Sequence, residues 1–339
     1  MAIEWRVLGR AGADNALHAV VDTGQARDSF LFDCGEHCLD GLRTADIQAV
    51  SQLCFSHFHM DHVAGFDGFF RLNYNRADPP VEVWGPPGTL AIMEHRFLGF
   101  IWNLHADQPG EWIVREVDEA QIRAARFLTR EAFVARRQPD RPRDSALLQR
   151  TANWSLEARL LPHGGVSSLA YRLVEPPRRN IDPVALRDLG EAPGPWLKAV
   201  ADEARKDDET IELGSQSHKL GSLRERLLRS SPGDSLAWLT DFRVEPGTEA
   251  WSDLVAWLAG TDTLVCECQY RDLDSALAVK NAHMSASLVG RLAAEAGVGR
   301  LVLQHLSRRY TGAEWHELYL EVKNQFPRVE LPRDWPVPY

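Results

Sequence analysis

Along this chain, short apolar runs repeatedly stop on a charged or imidazole-bearing residue. "SFLFDCGE" (29–36) and "AVSQLCFSH" (49–57) are too short for helices and end in polar groups, so both are predicted strands. "VEVWGPPG" (81–88) reads as a short strand closed by a Gly-Pro turn. The stretch 117–135 alternates as a helix does, and the proline-bearing "RRQPDRPRD" ends it. "LEARLLPHGGVSSLAYRL" (156–173) predicts two strands around a turn at His163, Gly164 and Gly165. Late in the chain, "SLAWLTD" ends on Asp241, "DTLVCECQ" carries Glu267 and "RLVLQH" ends on His305. A helix over 285–296, closed by Gly297, fills the interval between the last two.

Strands interleaved with helices imply an α/β protein, and open sheets of that class place their chemistry at strand ends. From Glu175 onward the pattern turns polar and irregular, with "LGEAPGPWLK" and the charge run "ADEARKDDET". Such a stretch is too long for a plain connection, so residues 176–230 are expected to form an arm within one domain spanning 1–339.

Composition narrows the class further. With 339 residues, 44% hydrophobic and 25% charged, the chain is of ordinary globular make-up. No apolar run approaches the roughly 20 residues that a membrane helix needs. The opening "MAIEWRVLGRAG" has no basic-then-apolar signal pattern, so a cytoplasmic location is expected. Five cysteines (34, 38, 54, 266 and 268) fit buried thiols in a reducing compartment better than a disulfide framework. A net charge of −10 excludes a protein that coats nucleic acid indiscriminately. One local exception stands out: eight arginines against three acids between Gln121 and Arg150, either a solvated face or a surface that follows phosphates.

The densest chemistry is "FSHFHMDHVAG" (55–65). His57 and His59 are two apart, so both imidazoles can face one way from an extended turn. Asp61 and His62 follow on the far side, suited to a second ion. Zinc accepts imidazole nitrogen and carboxylate oxygen, and two such ions can share one water. The motif holds too few ligands for two ions, and His163, Asp241 and His305 at strand ends are the candidates to complete it. An aspartate between two cations can bridge them, the role suited to Asp241.

Taken together, these motifs resemble the metallo-β-lactamase superfamily and, more narrowly, the ribonuclease Z family of tRNA 3′-processing endonucleases. "FLFDCGE", "FSHFHMDHVAGFDGF", "LPHGGVSSLAYRL", "LTDFR" and "LVLQHLSRRY" are similar to the family's successive motifs, in order. "CECQY" stands where the family has glutamate-alanine-threonine, "NAHMSASLVGRLAAEAGV" at its histidine-serine-threonine helix start, and "LRDLGEAPGPWLK" at the Gly-Pro segment of a tRNA-gripping arm. The resemblance implies an αββα sandwich of two mixed sheets flanked by helices, with a protruding arm. It implies two divalent ions, zinc or manganese. One would be held by His57, His59 and His163, the other by Asp61, His62 and His305, with Asp241 between them. Asp61 would also be the general base, Glu267 would orient His283 as general acid, and Asp33 would steady the ligand loops. The implied reaction is hydrolysis of precursor tRNA by a metal-activated hydroxide, in a homodimer whose arms serve each other's sites.

Three features depart from the family pattern. "LGRAGADNALHAV" replaces a glycine-rich segment, Met60 stands where the family has glycine, and the arm continues as the acidic "AVADEARKDDETIEL". The acidic arm keeps open a second substrate class, a small linear or cyclic phosphodiester. A binding protein that has lost catalysis is disfavoured because all seven presumed ligands are present.

Overall fold

Phe30 and Phe32 face one core and Leu31 between them faces another, which is why an uninterrupted apolar run here is a strand buried on both sides. The computed structural model describes residues 3–24, 26–202, 204–214 and 216–335. The chain first lays down β1 (Ile3–Gly9), β2 (Asn15–Asp22), β3 (Arg27–Phe32), β4 (Val50–Cys54), β5 (Val81–Gly85), β6 (Glu111–Val117), β7 (Gln121–Leu128) and β8 (Arg136–Pro142). These eight form one mixed sheet in sequence order, parallel from β3 to β6 and antiparallel elsewhere.

Next come β9 (Leu147–Arg150), β10 (Ser155–His163) and β11 (Val166–Val174), where Gly164 and Gly165 supply the positive φ of the tight β10–β11 turn. Glu175–Gly233 then forms a compact unit of its own. It contains β12 (Arg178–Ile181), β13 (Thr210–Leu213), β14 (Gln216–Lys219) and β15 (Leu228–Ser231), with a small core of Val200, Leu213, Leu220, Leu223 and Leu227. Glu203 and Ser215, inside the 176–230 stretch, lie outside the described residues. The main unit resumes with β16 (Ser235–Leu239), β17 (Thr263–Glu267), β18 (Arg300–Gln304) and β19 (Val329–Glu330). Its second sheet runs β19-β18-β17-β16-β11-β10-β9, parallel from β16 to β19.

The inner faces of the two sheets share the larger core, in which Phe30 meets Trp154 edge-on at 4.9 Å and Phe32 meets Tyr171 at 5.6 Å. The helices Phe66–Asn73 and Thr89–Leu98 cover the outer face of the first sheet. Ala286–Ala296 and Gly312–Gln325 cover the second. The main unit is thus two mixed sheets packed face to face between helices. Helix Ala286–Ala296 ends on Gly297 at φ 62, the left-handed stop that the sequence calls for.

One element differs from expectation. Residues 117–135 are not a helix: they complete β6, form β7 and end in a short 3-10 turn at Thr129–Glu131. The cause is cross-strand pairing, which no window on one segment reveals. Arg123 sits opposite Glu116 and pairs with it at 2.9 Å, and Arg126 pairs with Glu111 at 2.6 Å. "RRQPDRPRD" forms the edge strand β8, where its prolines remove no needed ladder bond. The arginine-rich stretch is largely spent on structure, since Arg136 pairs with Glu131 and Arg141 and Arg143 donate to backbone carbonyls.

Candidate metal centre

β4, β10, β16, β17 and β18 all finish at one edge of the main unit, and each carries a polar side chain to it. His163 and Glu267 are the last residues of β10 and β17. Asp241 and His305 stand just beyond β16 and β18, and Asp33 just beyond β3. Asp33, Asp241 and His305 all take positive φ (59, 50 and 53), a costly backbone state for such residues that clusters here. The turn after β4 is clamped by two close approaches. A Cβ on Gly35 would lie 2.4 Å from the Asp61 carbonyl oxygen, and one on Gly65 2.3 Å from that of Gly35.

The sequence-predicted residues meet in two groups that share an aspartate. His57, His59, His163 and Asp241 form one, and Asp61, His62, His305 and Asp241 the other, with ligand atoms in each within 4.8 Å of one another. Asp241 Oδ2 lies 3.7 Å from Nε2 of both His57 and His163. Its Oδ1 lies 3.3 Å from His62 Nε2 and 3.4 Å from His305 Nε2. Bonds of about 2.0–2.2 Å to a tetrahedral ion imply ligand–ligand edges near 3.3–3.6 Å, close to these separations. Moreover, Nε2 of His57 and of His62 are buried with no hydrogen-bond partner among the described residues. Two orphaned imidazole nitrogens turned toward a shared carboxylate fit a divalent cation, and the donor set suits a metal that takes nitrogen and oxygen.

The ligands are held from behind. Asp33, fully buried, accepts from Ser56 N (2.7 Å), Ser56 Oγ (2.8 Å), His62 Nδ1 (3.0 Å) and Trp238 Nε1 (3.2 Å). Ser56 Oγ lies 3.1 Å from His57 Nδ1, and the Ala282 carbonyl 3.0 Å from His163 Nδ1. These contacts fix the tautomers that leave Nε2 facing inward.

Charge is concentrated and unevenly shared. Burial, helped by its charged neighbour His62, pushes His57 down to about 2. For His62 burial opposes the charge, but Asp241 and Asp33 outweigh it and hold the imidazole well above its usual range. Burial likewise opposes ionisation of Asp241, yet the imidazoles of His305 and His62 keep it well below the carboxylate range.

Glu267 and His283 form a separate pair at the same edge. Glu267 is fully buried, accepts from Phe242 N (2.9 Å), and has both oxygens 3.1 Å from His283 Nδ1. His283 Nε2 lies 3.9 Å from Asp241 Oδ2.

Two site residues were missed from the sequence. Asn15 Oδ1 accepts the backbone N–H of His305 (2.8 Å), and Gln269 Nε2 lies 3.1 Å from His305 Nδ1. Only the strand-end position of Gln269, two after Glu267, gave any signal. Met60 is 81% exposed and lines, with Asp61, a groove of about 1070 Å³.

The chain is 42% identical over 331 residues to ribonuclease Z of Deinococcus radiodurans, covering 97% of each. It is 27% identical over 308 residues to ribonuclease Z of Bradyrhizobium sp. (strain ORS 278), covering 90% of this chain and 88% of that one. Among solved structures, a metallo-β-lactamase-fold protein of Bacillus subtilis matches with a TM-score of 0.56 at 16% identity, over 98% of this chain and 96% of that one. The short form of human tRNase Z matches at 0.53 and 16%, over 99% of each. The two structures speak for the fold. No family model matches the chain.

Proposed function

This chain belongs to the ribonuclease Z family, and we propose that the strand-end cluster is its active site. The protein is a metal-dependent endoribonuclease of tRNA 3′ processing. In this reading His57, His59 and His163 would hold one divalent ion and Asp61, His62 and His305 the other, with Asp241 common to both groups. Such ions would supply charge to polarise the phosphoryl oxygens and would bring the pKa of a water near neutrality. Zinc suits the imidazole-rich set, and manganese is the alternative to be separated by metal analysis.

The chain's own groups complete the chemistry. Asp61, with its side chain 43% exposed, takes a proton from the attacking water. Oxygen adds to phosphorus as the bond to the ribose 3′-oxygen breaks. His283 Nε2 donates a proton to that leaving oxygen, and Glu267 holds the imidazolium through Nδ1. The products are a 3′-hydroxyl and a 5′-phosphate.

The observation that carries this reading is the Glu267–His283 pair set against Asp241. An acid poised beside a two-ion cluster serves a reaction with a poor alkoxide leaving group. The metal-loaded protein, given precursor tRNA and bis(p-nitrophenyl) phosphate in parallel, should cleave the tRNA at the 3′ trailer with the higher kcat/KM. Hydrolysis of the small diester without tRNA cleavage would defeat the reading.

We assign the unit Glu175–Gly233 the arm's role in gripping tRNA. Its acids are not an unrelieved repulsive surface, since Asp207 pairs with Arg224 at 2.5 Å and Glu209 with Arg205 at 2.7 Å. Counted over 175–233, eleven acids stand against ten bases. A homodimer in which each arm serves the other site is the matching assembly, tested by sedimentation. Five buried free cysteines support a reducing compartment, the cytoplasm. Among the described residues no helix is long and apolar enough to cross a membrane.

A further inference from the structure

Four imidazoles of the site have an oxygen at Nδ1. Ser56 Oγ serves His57, Asp33 Oδ2 serves His62, the Ala282 carbonyl serves His163 and the Glu267 carboxylate serves His283. Ser56 Oγ gives its own proton to Asp33, so it is an acceptor toward His57. His305 breaks the pattern, because the atom 3.1 Å from its Nδ1 is the side-chain nitrogen of Gln269.

An amide nitrogen only donates, so that contact would put the lone pair on Nδ1 and the proton on Nε2. His305 Nε2, however, is the atom that faces Asp61 Oδ2 at 3.3 Å and Asp241 Oδ1 at 3.4 Å. A ligating imidazole must offer a lone pair there, not a proton. Oxygen and nitrogen of a glutamine amide exchange places by a half-turn and fill nearly the same space, so their assignment follows from the bonds they make. The half-turn brings Gln269 into line with the other four acceptors. Gln269 is half-buried and lines the groove together with Met60, Asp61 and His305, so the exchanged amide nitrogen belongs to that groove wall.

We propose that Gln269 is a positioning residue for His305. Its amide oxygen accepts the Nδ1–H and locks the tautomer that leaves Nε2 free for the second ion, and its amide nitrogen becomes a donor on the groove wall. The inference rests on the two-ion reading of the site and concerns only the ion that His305 helps to hold.

The test is competition for zinc between a chelating dye and the full-length protein, as wild type, Gln269→Leu and Gln269→Glu. Long-range ¹H–¹⁵N spectra of the loaded proteins report the His305 tautomer. Wild type should bind two ions with His305 protonated at Nδ1. Gln269→Leu, which cannot accept, should weaken the second ion about 10- to 100-fold, spare the first and lose the fixed tautomer. Gln269→Glu, which accepts but cannot donate, should restore the second ion to wild-type affinity or tighter. Undiminished second-ion affinity in Gln269→Leu overturns the proposal. So does Gln269→Glu behaving like an empty position, which also decides the matter if the leucine variant does not fold. Fewer than two ions in wild type would instead overturn the two-ion reading, and this inference with it.

Discussion

His283 lies between two carboxylates: its Nδ1 is 3.1 Å from Glu267 and its Nε2 3.9 Å from Asp241 Oδ2. Burial disfavours the charged imidazole, but the charge and hydrogen bond of Glu267, with Asp241, overcome it and raise His283 to about 9. The protonated form is the acid, so turnover falls as pH rises through its pKa, a value that bound cations bring lower. Glu267→Gln removes the nearest anion and leaves burial in place. The basic limb of kcat/KM should then move to lower pH by about 1–3 units, with metal content unchanged. A pH–rate profile decides it, and an unmoved limb would separate Glu267 from the acid.

Asp241 is the one carboxylate common to both ligand groups. Asp241→Ala should therefore release both ions together rather than one. Elemental analysis after gel filtration should fall from about two ions per chain to well under one, and hydrolysis to background. Two ions retained in the variant would remove the bridging role.

Metal uptake should release protons. His62 stays charged in the metal-free cluster because Asp241 and Asp33 outweigh its burial, and the same nitrogen must be bare to bind an ion. Calorimetric titration with zinc at pH 7, in two buffers of different ionisation enthalpy, should show about one proton or more released per chain. A raised imidazole stabilises the metal-free fold fully below its unfolded pKa of about 6.5, and that contribution is lost as pH rises through the folded value. The gap in Tm between loaded and metal-free protein should accordingly widen from pH 6.5 upward.

Asp33 supports the fold as much as the site. Fully buried, it accepts four hydrogen bonds that join the β3 end to Ser56, His62 and Trp238. Asp33→Ala strands those donors and leaves a charged His62 without one of its anions, at a cost of about 3–5 kcal/mol. Asp33→Asn should cost less, since asparagine tolerates φ 59 and still accepts. Urea unfolding of the two variants provides the comparison, and equal stability of alanine and wild type would contradict it.

What could be read in advance follows from where information is local. β4, β10, β16, β17 and β18 were legible because each apolar run stops at a residue whose chemistry is unusual for a loop. The histidine turn was legible because its ligands are adjacent in sequence. β6, β7 and β8 were not, since Arg123 becomes a strand residue only by facing Glu116 on another segment. Asn15 was invisible for the same reason, as it meets the His305 backbone across 290 positions. Nor does any residue type announce the left-handed backbone at Asp33, Asp241 and His305, which tertiary packing imposes.

The central claim is that the cluster and the Glu267–His283 pair act together on a phosphodiester of tRNA. Single-turnover cleavage of a precursor tRNA by His283→Ala, with ions counted in the same sample, tests it most directly. The variant should hold two ions per chain and cleave at a rate about 10²–10⁴-fold below wild type, ending at the same 3′-hydroxyl. A fully metal-loaded variant that cleaves at the wild-type rate would contradict it.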